Sequence, residues 1–217
     1  MVRGVVTPDG CPVEAYAALP AEPDLSSVLV HLEGRRKILD LGAGAGRIAD
    51  PLAAAGFDVL AVDESPEMLD RVRHARRRIS RIEELACEEH FDAVLLLSHL
   101  VNTPAATRRR QVLAAAARHL VDDGIVVIQR HDPEAVFHSG QVQLGDVEVS
   151  LLDVDTGGWP TVRAITRYRV GAHSWDQPWE AVVLSDDELT RALHESGLEP
   201  RLIDRSWVIA GRRAAAS

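Results

Sequence analysis

The chain is poor in the residues that build disulfide frameworks and metal clusters. Its 217 residues include only two cysteines, Cys11 and Cys87, whose separation matches no redox or zinc motif. This shortage excludes a disulfide-rich secreted scaffold. We also expect no metal site, because the grouping of His131, Asp132 and His138 fits no zinc spacing. Long apolar runs are missing too, so we expect no signal peptide, no membrane span and a cytoplasmic protein.

Positive charge is also in short supply. The chain carries 24 basic and 33 acidic residues, which gives a formal net charge of -9. An acidic chain repels the phosphate backbone, so we expect no nucleic-acid partner. The arginine triplets 76–78 and 108–110 fall in segments that we predict to be helical, and there they are expected to form solvated faces.

The most informative segment that the sequence does contain runs from residue 38 to residue 49. An apolar run ends in Asp40, glycines alternate at 42, 44 and 46, and a helix-compatible segment follows. Glycines let the backbone turn sharply and approach a ligand closely, and a helix start offers free N–H groups to an anion. The dinucleotide fingerprint G-x-G-x-x-G fails here because its last position falls on Arg47. The pattern predicts a nucleotide-type cofactor site at a strand-to-helix turn, although plain turns can show similar alternation.

A second acidic residue follows at the distance that such a site requires. The apolar run 59–62 ends in Asp63, about 20 residues after the glycines, where an acid accepts hydrogen bonds from ribose hydroxyls. Ser65 and Pro66 then form a helix start, with Glu67 adding negative charge to the first turn. The two segments together predict a nucleotide fold with Asp63 at the ribose.

These motifs, D-x-G-x-G-x-G at 40–46 and VDESPEML at 62–69, resemble those of the class I S-adenosylmethionine (SAM) dependent methyltransferases of small molecules. The whole chain is similar to stand-alone methyltransferase domains of the kind found in actinobacteria. The resemblance implies a Rossmann-like α/β fold: a mostly parallel seven-stranded sheet with helices on both faces. It also implies SAM as the cofactor and S-adenosylhomocysteine as its product.

The order of predicted elements supports an α/β fold with an antiparallel addition. Strands are predicted at 37–41, 58–62, 79–82, 91–97 and 125–129, with helices at 47–55, 66–77 and 105–120 between them. This alternation is typical of a parallel sheet covered on both faces. Between 141 and 184, alternating β-branched and aromatic residues predict two or three antiparallel strands, over 141–154, 161–170 and 175–184. Ser185 to Glu188 reads as a capping box, and strands at 198–203 and 206–211 end the pattern.

We therefore expect a single SAM-dependent methyltransferase domain over residues 1–217. Within it, residues 1–35 form an N-terminal cap and residues 36–134 form the cofactor-binding core. Residues 135–184 form an antiparallel β insert, or lid, and residues 185–213 form the terminal helix and strand pair.

The resemblance also implies which residues bind the cofactor. Gly42, Gly44 and Gly46 would line its methionine part, with Asp40 near the ammonium group. Glu64 follows the ribose-binding Asp63. Arg81 occupies a position where the family often has an aspartate facing the adenine, so the adenine edge is assigned instead to Ile82 and Glu83. Ser98 begins the loop that lies beside the sulfonium in the resembled enzymes.

The acceptor side is less well specified by the sequence. His99, in the loop after the fourth strand, and His131, after the fifth, are the candidate catalytic bases, because histidine titrates near neutral pH. With nine histidines in the chain, two at these positions could also be chance. Tyr16, Asn102 and Trp175 are candidate substrate-binding residues. Each has a structural alternative: packing for the tyrosine and the tryptophan, and a helix start for the asparagine.

The predicted function is methyl transfer from SAM to an oxygen or nitrogen of a small molecule by in-line displacement. Oxygen is slightly favoured because a candidate base is available. A SAM-binding protein without methyl transfer and a nicotinamide-dependent oxidoreductase are the alternatives. We expect a small-molecule substrate, no membrane partner, and a monomer or homodimer.

Overall fold

The computed structural model describes residues 5–8 and 10–213, and its largest feature is a seven-stranded sheet. The strands are β1 (Lys37–Leu41), β2 (Asp58–Asp63), β3 (Arg76–Ile79), β4 (Phe91–Leu96), β5 (Leu120–Gln129), β10 (Leu198–Ile203) and β11 (Trp207–Arg212). They are ordered β10-β11-β5-β4-β1-β2-β3. Pairing from β3 through β5 is parallel, and β11 alone runs against its neighbours. The predicted mostly parallel seven-stranded sheet is confirmed.

The central strands are buried on both faces, as their continuous apolar sequences indicate. Along β1, Leu39 and Leu41 point into one hydrophobic cluster and Ile38 into another. Helices cover both clusters: α3 (Ala49–Ala54), α4 (Pro66–Leu69), α5 (Ala106–Arg118) and α6 (Asp186–Glu195). The predicted capping box at α6 is confirmed, with the Ser185 side chain and Glu188 bonded reciprocally.

One predicted helix is wrong in its length. The helix predicted over 66–77 ends at Leu69, and Arg76–Ile79 forms the edge strand β3 instead of a later strand at 79–82. The Asp50 carboxylate accepts the backbone N–H groups of the three residues 73–75, at 2.8, 2.8 and 3.1 Å. A continuing helix would need those donors for its own bonds. The arginines at 76–78 therefore lie exposed on a strand, not on a helix face.

A separate antiparallel sheet follows the parallel core. It has four strands, in the order β6 (Gly140–Leu144), β7 (Val147–Gly158), β8 (Thr161–Val170) and β9 (His173–Val182), where two or three were predicted. The single strand predicted over 141–154 divides because Gly145 takes a positive φ of 57° and turns the chain. The short helices α1 (Val13–Ala18) and α2 (Asp24–Leu29) precede the core, and α1 packs against this sheet.

The helices of the described part of the chain are short. The longest, α5, has 13 residues, and none between residues 5 and 213 combines the length and apolarity that a membrane crossing needs.

Candidate functional site

The glycine turn follows β1 at the carboxyl end of the parallel strands. The backbone N–H groups of Gly42 and Ala43 donate to the Val62 carbonyl at 2.8 and 3.0 Å, which ties the turn to β2. All three glycines have positive φ: 75° at Gly42, 55° at Gly44 and 82° at Gly46. A Cβ on Gly42 would lie 2.8 Å from Leu100, whereas a Cβ on Gly44 would meet nothing within 4 Å. Gly42 is thus required for packing, and Gly44 borders open space where a ligand can approach.

Asp63, at the end of β2, contacts the glycine turn directly. One carboxylate oxygen accepts the Gly44 N–H at 2.8 Å, and the other accepts the Ser65 N–H at 2.9 Å. The structure therefore brings together the glycine loop and the acid that the sequence placed at the ribose. The position, at the carboxyl ends of adjacent parallel strands, is where α/β sheets bind nucleotides.

Asp40 is a second carboxyl at this edge, but it is only 3% exposed. Burial raises its pKa from 3.8 to about 7; Asp63 adds to the rise, and Arg47 opposes it. A buried carboxyl with a raised pKa gains most from a nearby positive group, which would stabilise its charged form. Asp40 is therefore suited to a cationic ligand beside the turn.

The segment after β3 lies beside the glycine turn and borders the same candidate site. Ile82 is buried, and its Cδ1 lies 3.6 Å from the position of a Cβ on Gly42. One oxygen of Glu83 accepts from Arg108 at 3.0 Å, while its other oxygen is buried without a partner. Glu64 is exposed and lies 3.9 Å from Arg81. The open cradle at Gly44, the acid at Asp63 and the orphaned acceptor on Glu83 fit the donor and acceptor pattern of an adenosine cofactor.

The two candidate bases come together after β4 and β5. The His99 and His131 rings stack with centroids 4.0 Å apart and planes 13° from parallel. Burial lowers the pKa of both rings, that of His131 to about 3, with His99 as the second cause. Both imidazoles are therefore neutral at pH 7. His99 Nδ1 is buried without a hydrogen-bond partner, so it can accept one.

Two aromatic residues that the sequence analysis did not select complete this cluster. The rings of Phe137 and Trp179 lie 5.3 and 5.9 Å from that of His131. We call His99, His131, Phe137 and Trp179 the ring cluster. Trp175 lies elsewhere on β9, where it packs with Tyr168 and α1. Alternate residues of a strand share a face, so residues 175, 177 and 179 lie on one face of β9. This alternation is the sequence signal that could have identified Trp179.

Two of the predicted substrate contacts are engaged within the protein. Asn102 is 1% exposed; its side chain donates to the Val182 carbonyl at 2.8 Å and accepts the backbone N–H of His131 at 2.9 Å. The Tyr16 hydroxyl donates to the Gln177 side chain at 3.2 Å, and burial raises its pKa. These contacts favour structural roles for both side chains, which hold neighbouring segments of the chain together.

No grouping of three or more histidine, cysteine, aspartate or glutamate side chains within the described ranges 5–8 and 10–213 is arranged to hold a metal ion. His131, Asp132 and His138 are neighbours in sequence, but they do not form such a group. Asp132 instead lies 3.5 Å from the guanidinium of Arg205.

Residues 38–124 match the model of a protein family described as a methyltransferase domain. A ubiquinone biosynthesis O-methyltransferase of Xanthomonas oryzae is 31% identical over 126 residues, covering 54% of this chain and 51% of that protein. A glycine/sarcosine N-methyltransferase of Parasynechococcus marenigrum is 30% identical over 165 residues, covering 67% and 58%. The chain spans about half the length of the first of these relatives. The family match includes the glycine turn, Asp63 and His99, but ends before His131.

Solved structures share the fold over most of the chain. The CcbJ methyltransferase of Streptomyces caelestis gives a TM-score of 0.69 at 22% identity, covering 91% of each chain. CalS10, an amino pentose methyltransferase of Micromonospora echinaspora solved with SAM bound, gives 0.67 at 21% identity, covering 89% and 90%. At these identities the likeness establishes the fold and leaves the acceptor open.

Proposed function

We propose that this chain, which belongs to the class I SAM-dependent methyltransferases, transfers a methyl group to an oxygen or nitrogen of a small molecule, with oxygen favoured. The observation that carries the proposal is the contact between the glycine turn and the loop that bears His99. Leu100, the residue after His99, lies against Gly42 so closely that a Cβ there would stand 2.8 Å from its side chain. A candidate base is thus held next to the cofactor loop.

We assign the cofactor to the glycine turn and the residues around it. Gly44 offers an open approach to the backbone, and Asp63 is placed for the ribose hydroxyls. The unpartnered oxygen of Glu83, beside Ile82, would accept from the adenine amino group. Asp40 would gain a positive partner in the ammonium group of the cofactor. Bound there, SAM supplies a methyl group attached to a positively charged sulfur.

The chain would contribute positioning and, for a hydroxyl acceptor, removal of one proton. His99 is the better of the two candidate bases, because its Nδ1 is buried without a partner and its ring is neutral. When the acceptor oxygen takes the methyl group from the sulfonium sulfur, His99 Nδ1 would receive the hydroxyl proton. His131, with a pKa near 3, would be a poor base and serves as the face on which His99 stacks.

Support for a small acceptor comes from the relatives and from the acidic charge of the chain. The named relatives are an O-methyltransferase of ubiquinone biosynthesis and an N-methyltransferase of glycine or sarcosine. They therefore include one oxygen and one nitrogen acceptor. A net charge of -9 disfavours a polyanionic substrate. The ring cluster offers flat, uncharged surfaces to the acceptor.

The first experiment is calorimetric titration of the chain with SAM and S-adenosylhomocysteine, in wild type and in Asp63→Ala. We expect the substitution to weaken binding by about 1–3 kcal/mol, the scale of lost charge-assisted hydrogen bonds. Asp122→Ala is the matched control, since the Asp122 side chain is almost fully exposed. Absence of binding to a folded wild type would overturn the proposal.

The second experiment tests the acceptor. Formation of S-adenosylhomocysteine would be measured over a panel of phenols, alcohols, amino sugars and amino acids. With a hydroxyl acceptor, His99→Gln should lower kcat by about 100-fold, the scale of lost general-base catalysis, and leave SAM affinity unchanged. His90→Gln, at an exposed histidine, is the control. Tight SAM binding with no product from any acceptor would favour a binding protein over an enzyme.

A further inference from the structure

The side chain of Gln129 joins two segments that are far apart in the sequence. Gln129 is the last residue of β5, and its Oε1 accepts the backbone N–H of Ser98 at 2.9 Å. Its Nε2 donates to Asp24 Oδ1, at the start of α2, at 3.0 Å. One amide therefore connects the loop that carries His99 to the N-terminal helices.

The same aspartate is also bonded to the glycine turn. Asp24 Oδ2 accepts from Arg47 at 2.8 Å, and Arg47 donates in addition to the Pro20 carbonyl at 3.2 Å. Arg47 directly follows the last glycine of the turn. Asp24, Gln129 and Arg47 thus link the N-terminal segment, the His99 loop and the cofactor loop, and we call these three residues the amide link.

The loop at residues 98 and 99 needs such support because of its backbone conformation. Ser98 and His99 have φ values of 52° and 59°, in the left-handed region that residues other than glycine rarely adopt. Strained backbone of this kind persists only where neighbouring groups hold it, and it concentrates at functional sites. The hydrogen bonds that hold it include Ser98 N–H to Gln129, and the Asn102 backbone N–H to the His99 carbonyl at 2.8 Å.

We propose that Gln129 is a positioning residue, which holds His99 in place when the N-terminal segment is docked. This inference rests on the proposed function, in which His99 receives the acceptor proton. Glutamine suits the position because its amide both donates and accepts. Glutamate would set a second carboxylate against Asp24, and methionine would satisfy neither neighbour.

If Gln129 holds the loop, removal of its side-chain amide should expose the ring of His99 to water. Burial is the main cause of the lowered pKa of His99, which the Arg130 backbone and Asp24 oppose and Arg47 reinforces. His131 is the other titratable group against the ring. Replacing Gln129 with an uncharged residue changes none of these charges, so a shift in the His99 titration reports movement of the loop.

The test uses the full-length chain without cofactor or acceptor. NMR would follow the titration of the His99 ring and the hydrogen exchange of backbone amides in wild type, Gln129→Met and Asp24→Ala. In Gln129→Met we expect Ser98 to exchange about tenfold faster, as for an amide that loses its hydrogen bond, and the His99 pKa to rise toward its ordinary value. In Asp24→Ala, Ser98 should also exchange several-fold faster. Gln143→Met is the matched control, because Gln143 is exposed and its side chain donates to the Gly145 carbonyl in the adjoining turn.

Each outcome decides part of the proposal. Unchanged Ser98 exchange and His99 titration in Gln129→Met would overturn it. Equally faster exchange throughout β4 and β5 would indicate lost fold stability and would also overturn it. Normal Ser98 exchange in Asp24→Ala would remove the connection to the N-terminal segment. Because neither SAM nor an acceptor is present, failure of the proposed function would show separately, in the calorimetry.

Discussion

The glycine turn and the ring cluster lie at the same edge of the parallel sheet, yet they hold opposite kinds of ionisable group. At the turn these are carboxyls: Asp63 bonded to backbone N–H groups, and Asp40 buried beside it. At the ring cluster they are imidazoles packed on aromatic faces. Burial favours the neutral form of each group, so it raises the pKa of Asp40 and lowers that of His131.

This contrast suits a transfer reaction with a cationic donor and an uncharged acceptor. A cation arriving at the turn would be stabilised by carboxylates. An acceptor at the ring cluster would meet His99, whose ring is uncharged until it takes a proton. The same contrast gives the two sides opposite pH dependences, which can be measured without knowing the acceptor.

Asp40→Asn should have the largest effect. In the folded chain Asp40 titrates near pH 7, against 3.8 ordinarily, so between these values the folded state binds more protons than the unfolded state. The contribution of Asp40 to stability is full below pH 3.8 and is lost as the pH rises to 7. Relative to wild type, Asp40→Asn should therefore gain up to about 4 kcal/mol of unfolding free energy from pH 4 to pH 7. Urea unfolding at several pH values measures this gain, with Asp122→Asn as control. A difference in unfolding free energy between Asp40→Asn and wild type that stays constant with pH would refute the prediction.

His131→Asn should reverse the direction of the pH effect. The pKa of His131 is about 3 when folded and 6.5 ordinarily, so the unfolded state binds more protons between these values. The contribution of His131 to stability is therefore full above pH 6.5 and is lost as the pH falls toward 3. Relative to wild type, His131→Asn should gain about 3 kcal/mol between pH 6.5 and 4. The same urea series tests it, with the exposed His90→Asn as control. If His131→Asn instead gained stability as the pH rises, as predicted for Asp40→Asn, the two sites would not have opposite pH dependences.

The cofactor side could be predicted from the sequence because its signals are local. The glycine turn, the acid ending β2 and the cap at Ser65 each depend on residues a few positions apart. The structure brings the predicted Gly44 and Asp63 into a 2.8 Å hydrogen bond. The roles of these residues in binding SAM stay predictions, as does the division of the chain into cap, core and insert.

The acceptor side depends on contacts between distant parts of the chain, which no local pattern specifies. Trp179 contacts His131 from β9, the last strand of the four-stranded antiparallel sheet. Gln129 reads as an ordinary strand residue until α2 and the His99 loop are placed beside it. The error at β3 has the same origin, because the arginines at 76–78 are compatible with a helix and the Asp50 carboxylate lies more than 20 positions earlier.

Asp50→Ala tests whether hydrogen bonds from backbone N–H groups to a carboxylate in the core contribute more to the free energy of unfolding than ion pairs on the insert. Its three N–H donors would lose their acceptor, and we expect a loss of about 2 kcal/mol in unfolding free energy. On the insert, Glu180 pairs with Arg163 at 2.6 Å between exposed side chains, and Glu180→Gln should cost less than about 0.5 kcal/mol. Chemical denaturation of both variants gives the comparison, and Asp50→Asn, which keeps one acceptor oxygen, should fall between them. Equal losses at the two sites would mean that the segment before β3 is held by its pairing with β2 rather than by Asp50. In that case the Asp50 carboxylate would not be the reason that α4 ends at Leu69.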